Sequence, residues 1–129
     1  MKNRHRILLV DDEKGFAAML KLNLEAMGNY EVMVVNDPLK AVTTAMQYHP
    51  ELILLDIIMP NKEGPDVAIE VKETEAIKNT PIIFLTATVT RDEVVQQSGR
   101  IGGYTFVAKP SNLSELVDSI EDSIHSNSF

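Results

Sequence analysis

Five short apolar runs recur along the chain and alternate with stretches of helical periodicity. The runs cover residues 5–10, 30–35, 52–56, 81–86 and 104–108. In the third run, four aliphatic residues follow one another without polar alternation, a pattern typical of a strand covered on both faces of a parallel sheet. We therefore predict five β-strands, with the third one in a central position.

Apolar residues at helical spacing follow each predicted strand. The first stripe consists of Phe16, Met19, Leu20, Leu24 and Met27, with Gly28 as a helix stop. Asp37 and Pro38 suit the N-cap and first position of a second helix. Further helices are predicted over residues 65–77, from Thr90, and over residues 112–124. The methionines fall mainly at core-facing positions of this pattern, which predicts that they fill the interior.

Strict alternation of strands and helices predicts an α/β fold. The five units should form one parallel, doubly wound sheet with helices on both faces, joined by right-handed crossovers. This arrangement is a three-layer α/β/α architecture. Because the five units fill the whole chain, we expect a single domain over residues 1–129.

Composition narrows the function classes. The chain has 129 residues, 12 basic and 19 acidic, for a net charge of −7, which argues against direct binding to nucleic acid. It contains no cysteine, so disulfides and thiolate metal sites are excluded and a cytoplasmic location is expected. No apolar run has the length of a membrane span or signal peptide, so no membrane association is expected.

Polar residues with phosphate chemistry follow the predicted strands at their carboxyl ends. Asp11 and Asp12 follow the first strand, Asp56 ends the third, Thr86 ends the fourth, and Lys109 follows the fifth. The carboxyl ends of parallel strands meet at one edge of the sheet, where open α/β folds bind ligands. We therefore expect these side chains to share one crevice.

A divalent cation would relieve the repulsion among three such carboxylates. Ligands that are all oxygen favour Mg²⁺, and Asp11 and Asp12 are well placed to hold it. Lys109 and the Thr86 hydroxyl can both bind phosphoryl oxygens. Asp56, on the central strand, is the best nucleophile, and its product would be an aspartyl phosphate.

Each residue also has a simpler interpretation when it is considered alone. Asp56 could cap a turn, and Asp11 and Asp12 could begin a helix, where acidic side chains interact favourably with the helix dipole. Thr86 is an ordinary strand-end residue, and a lone Lys109 would usually be a solvated surface charge. The coincidence of all five at the same end of their strands favours the functional interpretation.

The motifs together resemble a known family, the receiver domain of two-component response regulators, of the type of the bacterial chemotaxis regulator. The resemblance rests on residues 7–13, 56–60 with Gly64, 81–87 and 102–110, and it covers essentially the full chain. It implies a flavodoxin-like sheet with strand order 2-1-3-4-5. It also implies a phosphorylation-activated signalling switch that modifies itself and does not turn over a substrate.

The resemblance assigns a role to each residue of the expected crevice. Asp56 would accept a phosphoryl group from a phosphohistidine of a histidine kinase or phosphotransfer protein. Asp11 and Asp12, with Asp56 and the main-chain carbonyl of Ile58, would bind Mg²⁺. Lys109 would be the counter-charge of the phosphoryl group.

A switching mechanism follows from the same resemblance. Thr86 would move towards the phosphoryl group, and Phe106 would turn inward into the space that Thr86 leaves. The change would alter the surface formed by the fourth helix, fifth strand and fifth helix, and so control a partner, an attached output domain or a homodimer. Plain core packing is the alternative role of Phe106.

Pro110, Ser111 and Ile58 carry further expectations. In the resembled family the Lys109–Pro110 bond is often cis. Ser111 stands where an apolar residue is common, so the last helix is expected to begin differently. Ile58 is apolar where fast-hydrolysing relatives are often polar, and we hypothesise that the aspartyl phosphate is long-lived.

Two rival functions remain open at this point. A small Mg²⁺-dependent phosphatase would usually carry a second carboxylate two residues after its nucleophile, where this chain has Ile58. A binding module that keeps the fold without being phosphorylated is the other rival. His5, His49 and His125 lie far apart near element ends and are interpreted as surface residues.

Overall fold

The computed structural model describes residues 4–86, 104–109 and 113–126. Three expectations lie outside these residues: the helix beginning at Thr90, the isomer of the bond to Pro110, and the effect of Ser111 on the last helix. The rest of the predicted architecture falls within the described chain.

A five-stranded parallel sheet forms the middle layer, in the order β2-β1-β3-β4-β5. Its strands are β1 (His5–Val10), β2 (Tyr30–Val35), β3 (Leu52–Asp56), β4 (Ile82–Thr86) and β5 (Thr105–Ala108). The order confirms the flavodoxin-like topology. It places β3, the most apolar run, between β1 and β4.

Helices cover both faces of the sheet. They are α1 (Lys14–Ala26), a 3₁₀ turn (Pro38–Lys40) leading into α2 (Ala41–Tyr48), α3 (Gly64–Glu73) and a C-terminal helix (Leu113–Ser126). The buried residues of α1 and the C-terminal helix belong to one hydrophobic cluster, and those of α2 and α3 belong to a second. The two clusters are the layers above and below the sheet.

The continuous apolar sequence of β3 is explained by these two layers. Leu52 and Leu54 pack into the cluster of α1 and the C-terminal helix, whereas Ile53 and Leu55 pack into the cluster of α2 and α3. All four side chains are at most 1% exposed. A polar residue in the middle of this strand would have no solvent on either side, so the strand admits its charge only at the end, at Asp56.

Local signals fix the ends of the helices. The Asp37 carboxylate accepts a hydrogen bond from the Leu39 backbone N–H at 3.0 Å, as expected for a cap, and the turn that it caps precedes α2. Gly28 follows α1 with φ +89°, a conformation that side chains disfavour. His49 adopts the left-handed conformation at the end of α2 without being glycine, with φ 54°.

Two details of the predicted pattern are wrong. Met19, Met27, Met33 and Met46 are each 40–45% exposed and do not fill the core. On α1 the buried stripe is narrower than the apolar sequence pattern, because a helix packed on a sheet buries only one side and smaller residues such as Ala17 occupy it. In addition, the helix predicted over residues 65–77 ends earlier, because α3 stops at Glu73. Ile77 lies in the turn that follows and is buried there.

Side chains of α1 form hydrogen bonds with the backbone at the outer edge of β2. Lys21 Nζ donates to the Val32 carbonyl at 2.6 Å, and the Val32 backbone N–H donates to Glu25 Oε2 at 3.0 Å. Lys21 and Glu25 also form an ion pair at 3.0 Å, one helical turn apart. The hydrogen bond from Val32 lowers the pKa of Glu25.

Charged groups at the amino-terminal edge of the sheet are paired near the surface. The hydroxyl of the buried Tyr30 donates to the Glu121 carboxylate, and His125 Nε2 lies 3.2 Å from Glu121 Oε1. His5 Nδ1 lies 3.1 Å from Glu51 Oε2. The hydrogen bond from Tyr30 lowers the pKa of Glu121. His5 is half-buried and His49 and His125 are exposed, consistent with surface positions.

Candidate functional site: a buried acidic cluster at the strand ends

Strand register brings the polar strand ends to one edge of the sheet. Val10 pairs with Leu55 across β1 and β3, Asp56 pairs with Leu85, and Thr86 pairs with Ala108. The residues that follow these pairs therefore converge. Within the described parts of the chain, the buried polar or charged residues are Asp11, Asp56, Thr86 and Lys109.

Three carboxylates form the acidic centre of this edge. Asp11, Asp12 and Asp56 each offer an oxygen, and these oxygens all lie within 4.8 Å of one another. Asp11 is fully buried and Asp56 is 5% exposed, whereas Asp12 is half-buried and opens the cluster towards solvent. Asp12 therefore lies on the accessible side of the cluster, with two buried carboxylates behind it.

Lys109 contributes a positive charge to the site. Its Nζ lies 2.7 Å from Asp11 Oδ2, 2.9 Å from Glu13 Oε1 and 3.5 Å from Asp56 Oδ2. The Lys109 side chain is only 4% exposed. Its position is fixed through the backbone, because the Lys109 N–H donates to the Thr86 carbonyl at 2.9 Å and extends the pairing of β4 and β5.

Asp11 is held from three directions. Its Oδ1 accepts a hydrogen bond from the Glu13 backbone N–H at 2.9 Å, and its Oδ2 accepts one from Lys109 at 2.7 Å. The Asn36 side-chain amide donates to its main-chain carbonyl at 2.8 Å. The bonds from Glu13 and Lys109 satisfy a carboxylate that has no contact with solvent, so its burial is tolerated.

The site has more negative than positive charge, and burial together with this excess raises the pKa of Asp56. Burial and the negative charge of Asp11 raise the pKa of Asp56 from 3.8 to about 6, although Lys109 opposes the rise. Burial alone would lower the pKa of Lys109, but its hydrogen bonds to Asp11 and Glu13 outweigh burial and raise it. One buried cation therefore does not neutralise the surrounding carboxylates.

This donor set fits Mg²⁺. The available ligands are carboxylate oxygens within reach of a single ion, and their excess negative charge favours a divalent cation. No histidine or cysteine belongs to the cluster, which disfavours softer metals.

The loop after β3 holds the Asp56 backbone in place. The Gly64 N–H donates to the Ile57 carbonyl at 2.8 Å, and a Cβ at Gly64 would lie 2.2 Å from the Asp56 carbonyl oxygen. Only glycine allows α3 to begin so close to the strand end. Asn61 takes a positive φ of 73° within this loop. The Ile58 side chain points out of the core and is 62% exposed.

Thr86 and Phe106 lie on adjacent strands, as the sequence suggests. Thr86 ends β4 and is 3% exposed. Phe106 is half-buried on β5 and stacks on the Phe84 ring, with centroids 5.3 Å apart and an interplanar angle of 22°. Tyr104 contacts the other side of this aromatic group through an edge-to-face pair with Phe84, also at 5.3 Å.

The sequence interpretation missed three contributors to the site. Glu13 pairs with Lys109, Asn36 bonds to the Asp11 carbonyl, and the Phe16 ring lies beneath the Lys109 ammonium at 4.6 Å from Nζ. Phe16 appeared only as a core residue of the first helical stripe. Glu13 directly follows Asp12 and Phe16 lies about one helical turn after Asp12, and this proximity was the signal that could have found them.

The parallel sheet, its order and the acidic strand ends define a class of protein, and the family comparison agrees. The chain belongs to the response regulator receiver domain family, whose model matches residues 7–121. Receiver domains are signalling switches of two-component systems and are not turnover enzymes in general.

Individual relatives are response regulators. The chain is 38% identical over 121 residues to the nisin biosynthesis regulatory protein NisR of Lactococcus lactis, covering 93% of this chain and 50% of that protein. It is 34% identical over 125 residues to the DNA-binding response regulator MtrA of Mycobacterium tuberculosis, covering 96% and 52%. The chain thus spans about half the length of the curated relatives that it matches.

Solved structures show the same fold. The Vibrio cholerae chemotaxis protein CheY4 superposes with a TM-score of 0.81 at 26% identity, covering 94% of this chain and 99% of that one. A response regulator from Desulfuromonas acetoxidans gives 0.78 at 27% identity, covering 92% and 94%. Among the residues that the structure describes, no helix is both long enough and apolar enough to cross a bilayer.

Proposed function

We propose that this chain is a phosphorylation-activated switch whose phosphoacceptor is Asp56. The observation that carries the proposal is the environment of this carboxylate. Asp56 ends the central strand, is 5% exposed, and lies between a buried lysine and two further carboxylates. Burial beside Asp11 makes an uncompensated charge at Asp56 unfavourable, so the site favours a divalent cation in addition to Lys109, and a phosphoryl group on Asp56 would need both positive charges.

The reaction joins an Asp56 carboxylate oxygen to phosphorus. The bond between phosphorus and the donor breaks, which is an N–P bond for a phosphohistidine, and the imidazole leaves with the electron pair. Lys109 places a positive charge 3.5 Å from Asp56 Oδ2 and can pair with a phosphoryl oxygen. Thr86, buried at the end of the next strand, can donate its hydroxyl to another.

Asp11, Asp12, Asp56 and the Ile58 main-chain carbonyl would hold Mg²⁺. The bound ion would supply charge neutralisation at the phosphoryl oxygens. The residues of the chain itself position this chemistry, because the bonds of Glu13 N–H and Lys109 to Asp11 fix one carboxylate of the set. Asp12, the half-buried member, is the one through which solvent and ions reach the cluster.

Output follows from the pairing of β4 and β5. The phosphoryl group would draw Thr86 towards Asp56, and Phe106, which stacks on Phe84 of the same strand as Thr86, would change its packing. The affected surface includes β5 and the C-terminal helix, together with the helix predicted from Thr90. Phosphorylation and partner binding would then favour each other, because both select one state of the same element.

The partners in this proposal are a histidine kinase or phosphotransfer protein as donor and an output domain or separate partner as receiver of the signal. Response regulators as a class interact with both. We propose a single receiver domain over residues 1–129, a cytoplasmic location, and a homodimer that forms on phosphorylation.

Intact mass spectrometry after incubation with Mg²⁺ and acetyl phosphate tests the phosphoacceptor. The wild type should gain the mass of one phosphoryl group, and Asp56→Asn should gain none. Asp66→Asn, the same substitution at an exposed position of α3, is the matched control and should react like wild type. No gain in wild type, together with no Mg²⁺ binding, would contradict the proposal and favour a phosphorylation-independent binding module.

The exposed Ile58 side chain leads to a second expectation about the same site. It is 62% exposed beside the acceptor loop and has no polar atom to orient an attacking water. The aspartyl phosphate should therefore decay slowly, and Ile58→Asn should shorten its half-life severalfold. A wild-type half-life of a few seconds would contradict this expectation.

A further inference from the structure

The Lys109 ammonium lies against an aromatic face. Its Nζ is 4.6 Å from the centroid of the Phe16 ring, within the range of a cation–π contact. Asp11, Glu13 and Asp56 are its other neighbours. The Phe16 ring thus borders the ammonium together with three carboxylates, and the side chain between them is nearly excluded from water.

The carboxylates alone do not direct the ammonium towards Asp56. Its contacts with Asp11 and Glu13 are shorter, at 2.7 and 2.9 Å, than its 3.5 Å distance to Asp56. An ammonium is a compact charge on a flexible stem, without a preferred plane, so competing carboxylates can redirect it. A fixed apolar surface that attracts the cation limits this freedom.

A cavity next to the contact between Phe16 and Lys109 makes the position of the lysine depend on the size of residue 16. Phe16 and Lys109 both line a cavity of about 50 Å³ between α1 and the C-terminal helix, whose other walls include Leu20, Leu113 and Leu116. A smaller side chain at position 16 would enlarge this space next to the lysine stem. The stem could then shift into this space, away from Asp56.

The backbone holds the ring in place. Phe16 lies in the first turn of α1, and that turn begins at Glu13, whose backbone N–H is bonded to the Asp11 carboxylate at 2.9 Å. The ring and the carboxylate of Asp11 are therefore positioned by the same short segment.

We propose that Phe16 is a positioning residue for phosphoryl transfer, whose ring face holds the Lys109 ammonium beside Asp56. The proposal rests on the function proposed above. It differs from core packing, since a packing role needs only apolar volume at position 16, whereas positioning of a cation needs an aromatic face.

Kinetics with acetyl phosphate at saturating Mg²⁺ separate the two roles. We expect Phe16→Leu to slow phosphorylation about three- to tenfold, because it keeps apolar volume and loses the ring. Phe16→Tyr should restore the wild-type rate. Met19→Leu, a change in the same cavity wall that does not touch Nζ, is the matched control and should react normally. The Mg²⁺ affinity, measured by titrating Mg²⁺ into each metal-free protein, should be the same for wild type and the three variants.

Stepwise fluorination of the Phe16 ring separates its electrostatic effect from its shape. Site-specific incorporation of mono-, di- and trifluorophenylalanine at position 16 weakens the negative ring face with little change in volume. The phosphorylation rate should fall stepwise with fluorination. A rate that is independent of fluorination, or a Phe16→Tyr variant as slow as Phe16→Leu, would overturn the proposal.

A spectroscopic measurement reports the contact without any phosphorylation. In metal-free protein the Lys109 ε-methylene protons should be shifted upfield by the Phe16 ring current. The shift should vanish in Phe16→Leu and persist in Phe16→Tyr and Met19→Leu. Absence of the upfield shift in wild type would overturn the positioning inference while leaving the phosphoacceptor in place. If the upfield shift is present but acetyl phosphate does not phosphorylate Asp56, the proposed function is wrong, and with it the role of Phe16 in phosphoryl transfer.

Discussion

The two edges of the sheet treat carboxylates in opposite ways. At the carboxyl edge, Asp56 is buried beside Asp11, and its pKa rises to about 6 despite Lys109. At the amino-terminal edge, Glu121 receives a hydrogen bond from Tyr30, and its pKa falls. Glu121 is 37% exposed and can also be hydrated, whereas Asp56 is only 5% exposed.

The comparison separates a group placed for stability from one placed for chemistry. A carboxylate that receives hydrogen bonds and keeps contact with water stabilises the fold in its charged form. A carboxylate that is buried among like charges opposes the fold in its charged form, and such positions concentrate at functional sites. Removing the charge of Asp56 should therefore raise the free energy of unfolding, whereas removing the hydrogen bond to Glu121 should lower it.

The largest effect is expected where the backbone itself is constrained at the carboxyl edge. Gly64→Ala would place a Cβ 2.2 Å from the Asp56 carbonyl oxygen, so either α3 or Asp56 must shift. We expect a loss of about 3 kcal/mol in the free energy of unfolding, measured by urea denaturation. Phosphorylation by acetyl phosphate should also slow, because the acceptor is displaced.

Gly15 provides the matched control for this substitution. A Cβ at Gly15, in the first turn of α1, would have no atom within 4 Å. Gly15→Ala should therefore stabilise the protein by about 0.5 kcal/mol through its higher helix propensity. Equal stability changes in the two variants would show that the close approach at Gly64 is unimportant.

The second effect concerns the buried charge of Asp56. Without Mg²⁺, Asp56→Asn should increase the free energy of unfolding at pH 7, by up to about 3 kcal/mol, because the amide cannot ionise. A less stable variant at pH 7 would mean that Lys109 more than compensates the repulsion. Asp66→Asn, on exposed α3 surface, should leave stability nearly unchanged.

The sign of the pH dependence follows from the raised pKa. The folded protein binds the Asp56 proton more tightly than the unfolded chain, whose pKa is 3.8, so this group's contribution to stability falls as the pH rises from about 4 to about 6. The gain in stability from Asp56→Asn should thus be small near pH 4 and reach its full size above about pH 6. Denaturation curves across this range check the prediction, and an advantage that grows on acidification would refute it.

A smaller effect of opposite sign is expected at the amino-terminal edge. Tyr30 is fully buried, and Tyr30→Phe removes its hydrogen bond to Glu121 while keeping the ring. We expect a loss of about 1–2 kcal/mol in urea denaturation. Tyr48→Phe removes an exposed hydroxyl contact with Glu31 and should cost less than about 0.5 kcal/mol.

The smallest effect is expected at the most exposed pair of this edge. The His125 side chain is 69% exposed and lies one helical turn from Glu121. His125→Gln should change stability by less than about 0.5 kcal/mol. A change comparable to that of Tyr30→Phe would show that surface charges carry as much weight here as the buried hydroxyl.

Much of the fold was predictable because its signals are local and periodic. The strands β1, β2 and β3 coincide with the predicted runs, and the strand-end positions of Asp11, Asp56 and Lys109 follow from their sequence alone. Helix faces were less predictable. Met19 and Met27 satisfied the spacing of a core stripe, but a helix packed on a sheet buries fewer positions than its apolar residues could fill.

The finer contacts of the site could not be predicted from the sequence. The stacking of Phe16 under Lys109 joins residues 93 positions apart, and it depends on how α1 packs against the end of β5. Gly64 is recognisable as a loop residue, but its close approach to Asp56 appears only in three dimensions. Periodicity gives the element to which a side chain belongs and leaves its partners across the fold undetermined.

The side chains bonded to β2 have a consequence for how copies of the protein meet. An edge strand normally offers free backbone groups on which a strand of another molecule can grow. Here the N–H and carbonyl of Val32 are occupied by Glu25 and Lys21, which also bind each other. A foreign strand would have to displace both of these hydrogen bonds before it could add to the middle of this edge, so α1 protects the β2 edge against self-templated aggregation.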